Sequence, residues 1–332
     1  MAKGYNPTEY IYSSARIRAL EIKVPTKDRL YHLADADTTQ ILSQLDDMGF
    51  ETVKSGETLS REDMLESLLV KGYGEIENME CAGVTDFMRY QYDANNIKAI
   101  IKCAARGVAA DSMLSVLGTV DIAKVRKAFE EKDYSCFAEN MSQAVAEAEE
   151  AFAATKDPQK IDFIIDRACF ADMIAAAKRI DVPLAKDLVR AKIDQTNIMI
   201  TLRIIQMRLG KVADGILREA YIGGGSFDVE LFASAFDEGI EALAGEISRA
   251  GYEKLAEAIA NGETLGVLEK RVDDLWVLKA KAAKSISFGA EIAIGYIAAL
   301  EYAVKNVRII LASKDAGLAP ELIRERLRDC YA

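Results

Sequence analysis

Long apolar stretches with isolated polar residues are the main pattern of this chain. Residues 188–209 combine helix formers and apolar residues without Gly or Pro. A stretch of this length predicts a buried helix, because strands are shorter and alternate in polarity. Within it, Asp194 and Asn197 are three residues apart and share one helix face, whereas Arg203 lies roughly half a turn away. The two polar side chains on a buried face require hydrogen-bond partners.

The same polar pattern recurs along the chain. Asp93 and Asn96 repeat the spacing about a hundred residues before Asp194, and Asn306 follows Asn197 by a similar interval. The third copy has only the Asn, so a role shared by all copies cannot depend on the Asp. A recurrence at this interval indicates a repeated helical unit.

Further matches support the repeat. Residues 118–122 and 225–229 have similar helix-start patterns, and each is followed by an Ala-Phe pair at a matching distance. Repeats of this length are whole small domains rather than solenoid units. We therefore predict an all-α protein of three similar helical units, residues 1–110, 111–215 and 216–332, which can close around a pseudo-threefold axis or stand in a row.

Local signals predict several boundaries. Thr8 follows a proline and is typical of a helix N-cap, while Ser60 and Asp63 resemble a capping box. The helix that begins there is expected to end near residues 72–74, where two glycines flank a tyrosine. The Gly-rich turn at residues 223–225 has neither the Walker pattern nor a preceding strand, so it predicts a flexible connector rather than a phosphate site.

Composition and charge narrow the functional classes. The 332 residues are half hydrophobic and carry a formal net charge of −11, which argues against nucleic acid and anionic membranes as partners. The sequence contains no window of about eighteen uncharged apolar residues, so no membrane span is predicted. The first residues show no apolar signal region. The five cysteines form no Cys-x-x-Cys pair and predict free thiols in a reducing compartment.

Candidate chemistry is sparse. The single histidine, His32, excludes a multi-histidine zinc site and argues against a serine-histidine-aspartate triad. The two Asp–Asn pairs can be interpreted as metal ligands or an acid–base pair, or as side chains that hydrogen-bond backbone and fix helix docking. Because catalysis rarely occurs in two equivalent copies within one chain, the docking interpretation is favoured. We predict no catalytic, cofactor-binding or metal-binding residues.

Several motifs together resemble a known family. They are residues 10–18, the two Asp-x-x-Asn-Ile segments, Asn197 with Arg203, residues 301–308, Lys314, residues 317–318 and residues 323–327. In their order and spacing the chain resembles the C subunit of archaeal and bacterial V-type (A-type) ATPases and ATP synthases, which is related to the eukaryotic d subunit. The chain departs from the family pattern at three positions. Ala303 stands where the third unit would have its Asp, Lys102 stands at the position of the first unit that corresponds to Arg203 in the second, and Ser313 stands where a glycine is expected.

The resemblance implies three helical domains in a funnel around a pseudo-threefold axis and a non-catalytic rotor adaptor. Its implied partners are the central-stalk subunits and the membrane proteolipid ring, whose rotation moves H⁺ or Na⁺, on the cytoplasmic face of the membrane. No cofactor is implied. The residues expected to mark the repeat are Asp93, Asn96, Asp194, Asn197, Arg203, Asn306 and Arg308.

Two alternatives remain open. A generic helical scaffold for an unidentified partner would also have repeats and no catalytic residues. A helical carboxylate–metal enzyme could use Asp93 and Asp194, although the chain lacks the Glu-x-x-His motif of di-iron bundles. The acidic balance suits a protein that docks on basic faces of its partners.

Overall fold

A computed structural model describes residues 5–79, 81 and 83–331, and its architecture is all-α, as predicted. Sixteen α-helices lie within these residues, together with one antiparallel pair of two-residue strands, β1 (Val53–Lys54) and β2 (Glu57–Thr58). The helices are α1 (Ile11–Glu21), α2 (Lys27–Asp35), α3 (Thr38–Asp47), α4 (Arg61–Glu77), α5 (Asp86–Arg106), α6 (Ile122–Glu131), α7 (Glu139–Thr155), α8 (Pro158–Ile180), α9 (Pro183–Met207), α10 (Ala213–Ala220), α11 (Val229–Asp237), α12 (Ile240–Arg249), α13 (Glu253–Ala260), α14 (Leu265–Ala280), α15 (Ala290–Asp315) and α16 (Pro320–Arg326).

The helices group into two compact units. Unit 1 comprises Met1–Thr85, Val182–Leu188 and Asn261–Ala332, and unit 2 comprises Asp86–Asp181 and Val189–Ala260. The division into three units stays a prediction. Across the described ranges no helix combines the length and the apolar character that crossing a membrane requires.

Unit 1 is built around α15, which buries apolar side chains along most of its length and packs against α4. The predicted helix end at residues 72–74 is wrong, because α4 continues through both glycines to Glu77. A Cβ atom at Gly72 would lie 2.2 Å from the Leu300 side chain, so this glycine permits close approach of the two helices. The glycine signal reflects tertiary packing here rather than a helix end.

Unit 2 is built around α8, which packs against both α5 and α7. Two parallel ion pairs cross the α5–α8 contact: Lys98 Nζ lies 2.7 Å from Asp166, and Lys102 Nζ lies 2.5 Å from Asp162. The lysines are four residues apart on one helix and the aspartates four residues apart on the other, so the pairs occupy matching faces. Their reversed order shows that the two helices run antiparallel.

Of the two predicted helix starts, the one at Ser60 is confirmed and the one at Thr8 is wrong. At the start of α4, the backbone N–H of Asp63 donates to Ser60 Oγ at 3.2 Å and the Ser60 hydroxyl donates to Asp63 Oδ2 at 2.6 Å. Thr8 is not an N-cap, since its own N–H donates to Asn6 Oδ1 at 3.3 Å and opens a 3-10 turn over Pro7–Tyr10. The α-helix begins only at Ile11.

Candidate functional site

Asn197 forms a paired hydrogen bond with the backbone of a single residue. Its amide Nδ2 donates to the carbonyl oxygen of Ile222 at 2.8 Å, and the N–H of Ile222 donates to Asn197 Oδ1 at 3.0 Å. Asn197 is 1% exposed and Ile222 is 2% exposed. The carboxamide therefore satisfies a peptide donor and acceptor that water cannot reach, and it ties the segment after α10 to α9.

The other two candidate asparagines make the same arrangement, which we call an amide bracket. Asn96 on α5 donates to Ser115 O at 2.9 Å and accepts from Ser115 N at 2.8 Å. Asn306 on α15 donates to Arg328 O at 3.2 Å and accepts from Arg328 N at 2.7 Å. In each case a long helix holds a segment that lies later in the chain.

Beside the first bracket, Asp93 binds the start of the next helical segment. Its carboxylate accepts from Thr119 N at 3.0 Å, Thr119 Oγ1 at 2.6 Å and Val120 N at 3.2 Å. Burial raises the pKa of the Asp93 carboxyl above its ordinary value, because desolvation outweighs these hydrogen bonds. A Cβ atom at Gly118 would lie 2.3 Å from Asp93 Oδ1, so only glycine allows this approach.

Asp194 repeats this contact beside the second bracket. Its carboxylate accepts from the backbone N–H of Ser226 and, at 3.5 Å, from the hydroxyl of Tyr252. A Cβ atom at Gly225 would lie 2.4 Å from Asp194 Oδ1. At Gly225 the missing side chain therefore admits the Asp194 carboxylate. That the glycine turn is a flexible connector stays a prediction.

Unit 1 lacks this carboxylate, because Ala303 occupies the position, and an aspartate from another helix lies beside its bracket. Asp273 on α14 lies 2.7 Å from Lys305 Nζ, accepts from Arg328 Nε at 2.8 Å and accepts from Tyr302 at 3.1 Å. Burial opposes its ionisation, but the two cations outweigh burial and lower the pKa of Asp273 below its ordinary value.

Sequence reasoning missed Asp273 and also Asp172. Asp172 on α8 accepts from Asn140 N at 3.0 Å and Met141 N at 2.9 Å, so it caps the first turn of α7 from another helix. The N-cap residue of α7 is Ala138, which has no side-chain acceptor. An acid inside an apolar helix together with an uncapped helix start was the signal that could have revealed this partnership.

The two candidate arginines lie outside the brackets. Arg203 and Arg308 are exposed on α9 and α15, and Arg308 Nη2 lies 2.6 Å from Glu62 of α4. The structure therefore places the three asparagines and both candidate aspartates against backbone segments, whereas the two arginines lie on solvent-exposed faces.

The carboxylate–metal alternative gains no support from this geometry. Asp93 and Asp194 accept hydrogen bonds from N–H and hydroxyl donors. Within the part of the chain that the structure describes, no group of three or more His, Cys, Asp or Glu is arranged to hold a metal ion. Asp93 and Asp194 instead hold backbone segments that lie later in the chain.

One exposed loop combines apolar side chains with a fixed backbone. Val108, Met113 and Val116, between α5 and α6, are 54%, 62% and 59% exposed. The first bracket holds the same loop at Ser115, immediately before Val116. Apolar side chains presented to solvent on a fixed backbone are typical of a surface that binds a partner.

Comparison with known proteins gives a consistent result. The family model for the ATP synthase (C/AC39) subunit matches residues 13–326. The C subunit of the A-type ATP synthase of Thermococcus kodakarensis is 25% identical over 96% of this chain and 90% of its own length. The C subunit of the V-type ATP synthase of Thermus thermophilus is 21% identical over 96% and 98%. The C subunit of the V-type sodium ATPase of Enterococcus hirae is 22% identical over 74% of each chain.

Proposed function

Because the chain belongs to the ATP synthase (C/AC39) subunit family, whose members are non-catalytic subunits of rotary ATPases, we propose that it is a rotor adaptor. In this role it joins the central-stalk subunits to the membrane proteolipid ring on the cytoplasmic side of the membrane. Rotation of the stalk then turns the ring and moves H⁺ or Na⁺, and in a synthase the sequence of events is reversed.

The observation that carries this proposal is the loop of residues 108–116. Its three large apolar side chains suit an apolar partner surface such as that of the ring. Removing them from water on binding would stabilise the complex by about 25 cal/mol per Å² of apolar surface. The bracket from Asn96 fixes the loop against α5, so binding does not require the whole loop to become ordered. We assign this loop to the contact with the ring.

Each unit is also well suited to transmit force. In unit 2 the two lysine–aspartate pairs join α5 to α8, and in unit 1 Arg308 joins α15 to Glu62 of α4. Amide brackets in both units hold the segments after α10 and α16 against long helices. A mechanical adaptor requires such cross-links, because a torque applied at one surface is lost if the helices slide.

The test is reconstitution of the rotary complex in vesicles with Met113→Glu/Val116→Glu in place of the wild-type chain. Charged side chains on the ring-facing loop should weaken ring attachment, so ATP hydrolysis continues while ATP-driven uptake of H⁺ or Na⁺ falls at least ten-fold. Both ions are measured with separate indicators. A complex that pumps normally without this chain would contradict the adaptor role.

A matched control is Val53→Glu in unit 1. Val53 is 53% exposed, close to the exposure of Met113 and Val116, but it lies in the short strand pair. It should leave both hydrolysis and ion uptake unchanged. If both variants reduce uptake equally, the assignment of the loop is wrong and a general effect of added charge explains the result.

A further inference from the structure

A small cavity in unit 1 is lined by more cations than carboxylates. Helices α2 and α14 and the segment after α16 enclose a volume of about 210 Å³. The charged side chains of its lining are four cations and two carboxylates: Lys27, Lys270, Arg271, Arg328, Asp274 and Asp329. The chain as a whole has a formal net charge of −11, so this basic cavity is a local exception. An excess of positive charge in a concave site concentrates anions.

Two of the six lining charges already have a partner of opposite sign. Arg328 Nε lies 2.8 Å from Asp273, and Asp329 lies 2.8 Å from Lys281 Nζ. These contacts hold the segment after α16 in place as one wall of the cavity. The free charge of the cavity therefore comes from the other four side chains.

Three of those four side chains are cations. Lys27, Lys270 and Arg271 form no ion pair with any carboxylate in the part of the chain that the structure describes. Lys270 Nζ donates to the carbonyl oxygen of Glu325 at 2.6 Å, and Lys27 Nζ lies 5.5 Å from the centroid of the Tyr31 ring. These uncharged partners position the two lysines without neutralising them.

The fourth side chain, Asp274, does not balance the three cations. Its carboxylate accepts from the backbone N–H of Asp329 at 2.6 Å. Burial lowers the pKa of Lys270, and repulsion from the neighbouring cations lowers it further, whereas Asp274 raises it. The net result is a pKa below the ordinary value, so the cations are close enough to destabilise one another. An anion bound among them would offset this repulsion.

The size of the cavity and the type of its donors select the anion. Pockets for drug-sized ligands have volumes of about 300–1,000 Å³, so this smaller cavity suits an ion or a single charged group. Arginine binds phosphate through paired N–H groups, and lysine binds it as a point charge. Helix α14 supplies one of each, Lys270 and Arg271, and α2 supplies Lys27. We propose that this cavity binds a phosphate group, held by these three side chains.

The test is calorimetric titration of the full chain with inorganic phosphate and, separately, with ADP, at an ionic strength held constant with chloride. We expect saturable binding with one site per chain, which weakens as the chloride concentration rises. Binding of inorganic phosphate at least as tight as that of ADP would assign the site to the free ion. Tighter binding of ADP would assign it to a phosphate ester whose remaining atoms lie outside the cavity.

Substitutions of opposite sign locate the site. Lys270→Gln and Arg271→Gln should each weaken phosphate binding at least ten-fold, because each removes a charged donor. Asp274→Asn should strengthen binding at least two-fold, because it removes a carboxylate that repels the anion. A variant that only disturbed the fold would not bind phosphate more tightly, so this increase distinguishes ligand contact from loss of structure.

The matched control is Arg29→Gln, at an exposed arginine of α2 that does not line the cavity, and it should bind within two-fold of wild type. Because Arg271 is exposed, Arg271→Gln should also keep the wild-type melting temperature. The proposal would be overturned if the wild-type chain bound neither probe. It would equally be overturned if Arg271→Gln bound phosphate like wild type, or if Asp274→Asn bound it more weakly while melting at the wild-type temperature.

Discussion

Asp93 in unit 2 and Asp273 in unit 1 each lie beside an amide bracket, but they are held by opposite means. Asp93 accepts hydrogen bonds from backbone N–H groups and a threonine hydroxyl, and burial raises its pKa. Asp273 lies between Lys305 and Arg328, and these cations lower its pKa. The bracket itself is the same amide geometry in both units.

The comparison shows which part of the arrangement is the same in both units and which part differs. Both need an amide that donates and accepts at once, which a carboxylate or an apolar side chain cannot do. The neighbouring carboxylate is less restricted, because it can be stabilised either by N–H donors or by cations. Unit 1 has Ala303 at the helix position that carries Asp93 in unit 2, and its carboxylate comes from α14.

The largest expected effect distinguishes the two carboxylates directly. Asp273→Asn leaves two cations without their counter-charge, and Arg328 is largely buried, so we expect a loss of about 3 kcal/mol in the free energy of unfolding. Asp93→Asn places an amide NH₂ against N–H donors and should cost about 1–2 kcal/mol. Denaturant unfolding of the full chain measures both. Equal losses would show that the ion pairs add nothing beyond hydrogen bonding.

The brackets themselves provide the next comparison. Asn197→Leu should cost roughly 1–3 kcal/mol, because it leaves both polar groups of the buried Ile222 backbone unpaired. Asn96→Leu should cost less, since Ser115 is only half-buried and water can replace part of the bond. Melting temperatures of the two variants test this order. A melt of Asn197→Leu that matches wild type would contradict the bracket.

Two glycines of the turn after α10, Gly223 and Gly225, allow a matched pair of substitutions. Gly225→Ala should cost about 1–2 kcal/mol, because the new Cβ would lie 2.4 Å from Asp194 Oδ1 and force one of the two segments to move. Gly223→Ala has open space at the same atom and should be nearly neutral. Hydrogen exchange at Ser226 should increase only in the first variant. Equal exchange in both would show that Asp194 does not hold this turn.

A smaller effect with opposite signs in the two units should appear on acidification. Because the folded pKa of Asp273 lies below its unfolded value, its stabilisation is present above about pH 4 and is lost as pH falls through the folded pKa. Because the folded pKa of Asp93 lies above its unfolded value, its contribution is full below about pH 4 and is lost as pH rises through the folded pKa. The cost of Asp273→Asn should therefore shrink in acid, while that of Asp93→Asn should grow. Parallel trends would refute the contrast.

The smallest effect concerns the half-buried ion pairs between α5 and α8. Lys98→Ala removes one lysine–aspartate pair between α5 and α8 and should cost less than about 1 kcal/mol, because such pairs are screened by water and salt. The loss should decrease further at high ionic strength. A loss as large as that of Asn197→Leu would mean that these ion pairs contribute as much to the stability of unit 2 as the buried bracket does.

Much of the local structure could be predicted because it depends on neighbours in sequence. The Ser60–Asp63 cap and the long helix around Asn197 follow from interactions within one or two turns. Prediction failed where the deciding contact is distant in sequence. Gly72 suggests a helix end, but it is a glycine because Leu300 of another helix packs against it, and this contact cannot be recognised from the neighbouring residues. Thr8 failed for a different reason, since the neighbouring Asn6 competed for the same cap position.

By itself the sequence determined the helical class, the family motifs and the three asparagines with their spacing, because helix periodicity and buried polarity can be recognised without knowing the contacts. Only the tertiary structure decided which backbone each asparagine holds and that Asp273 lies beside the third bracket. A buried amide must find a partner, but its identity depends on which segment folding brings within about 3 Å. For Asn306 that segment is the backbone at Arg328, and the same arginine brings its charge to Asp273.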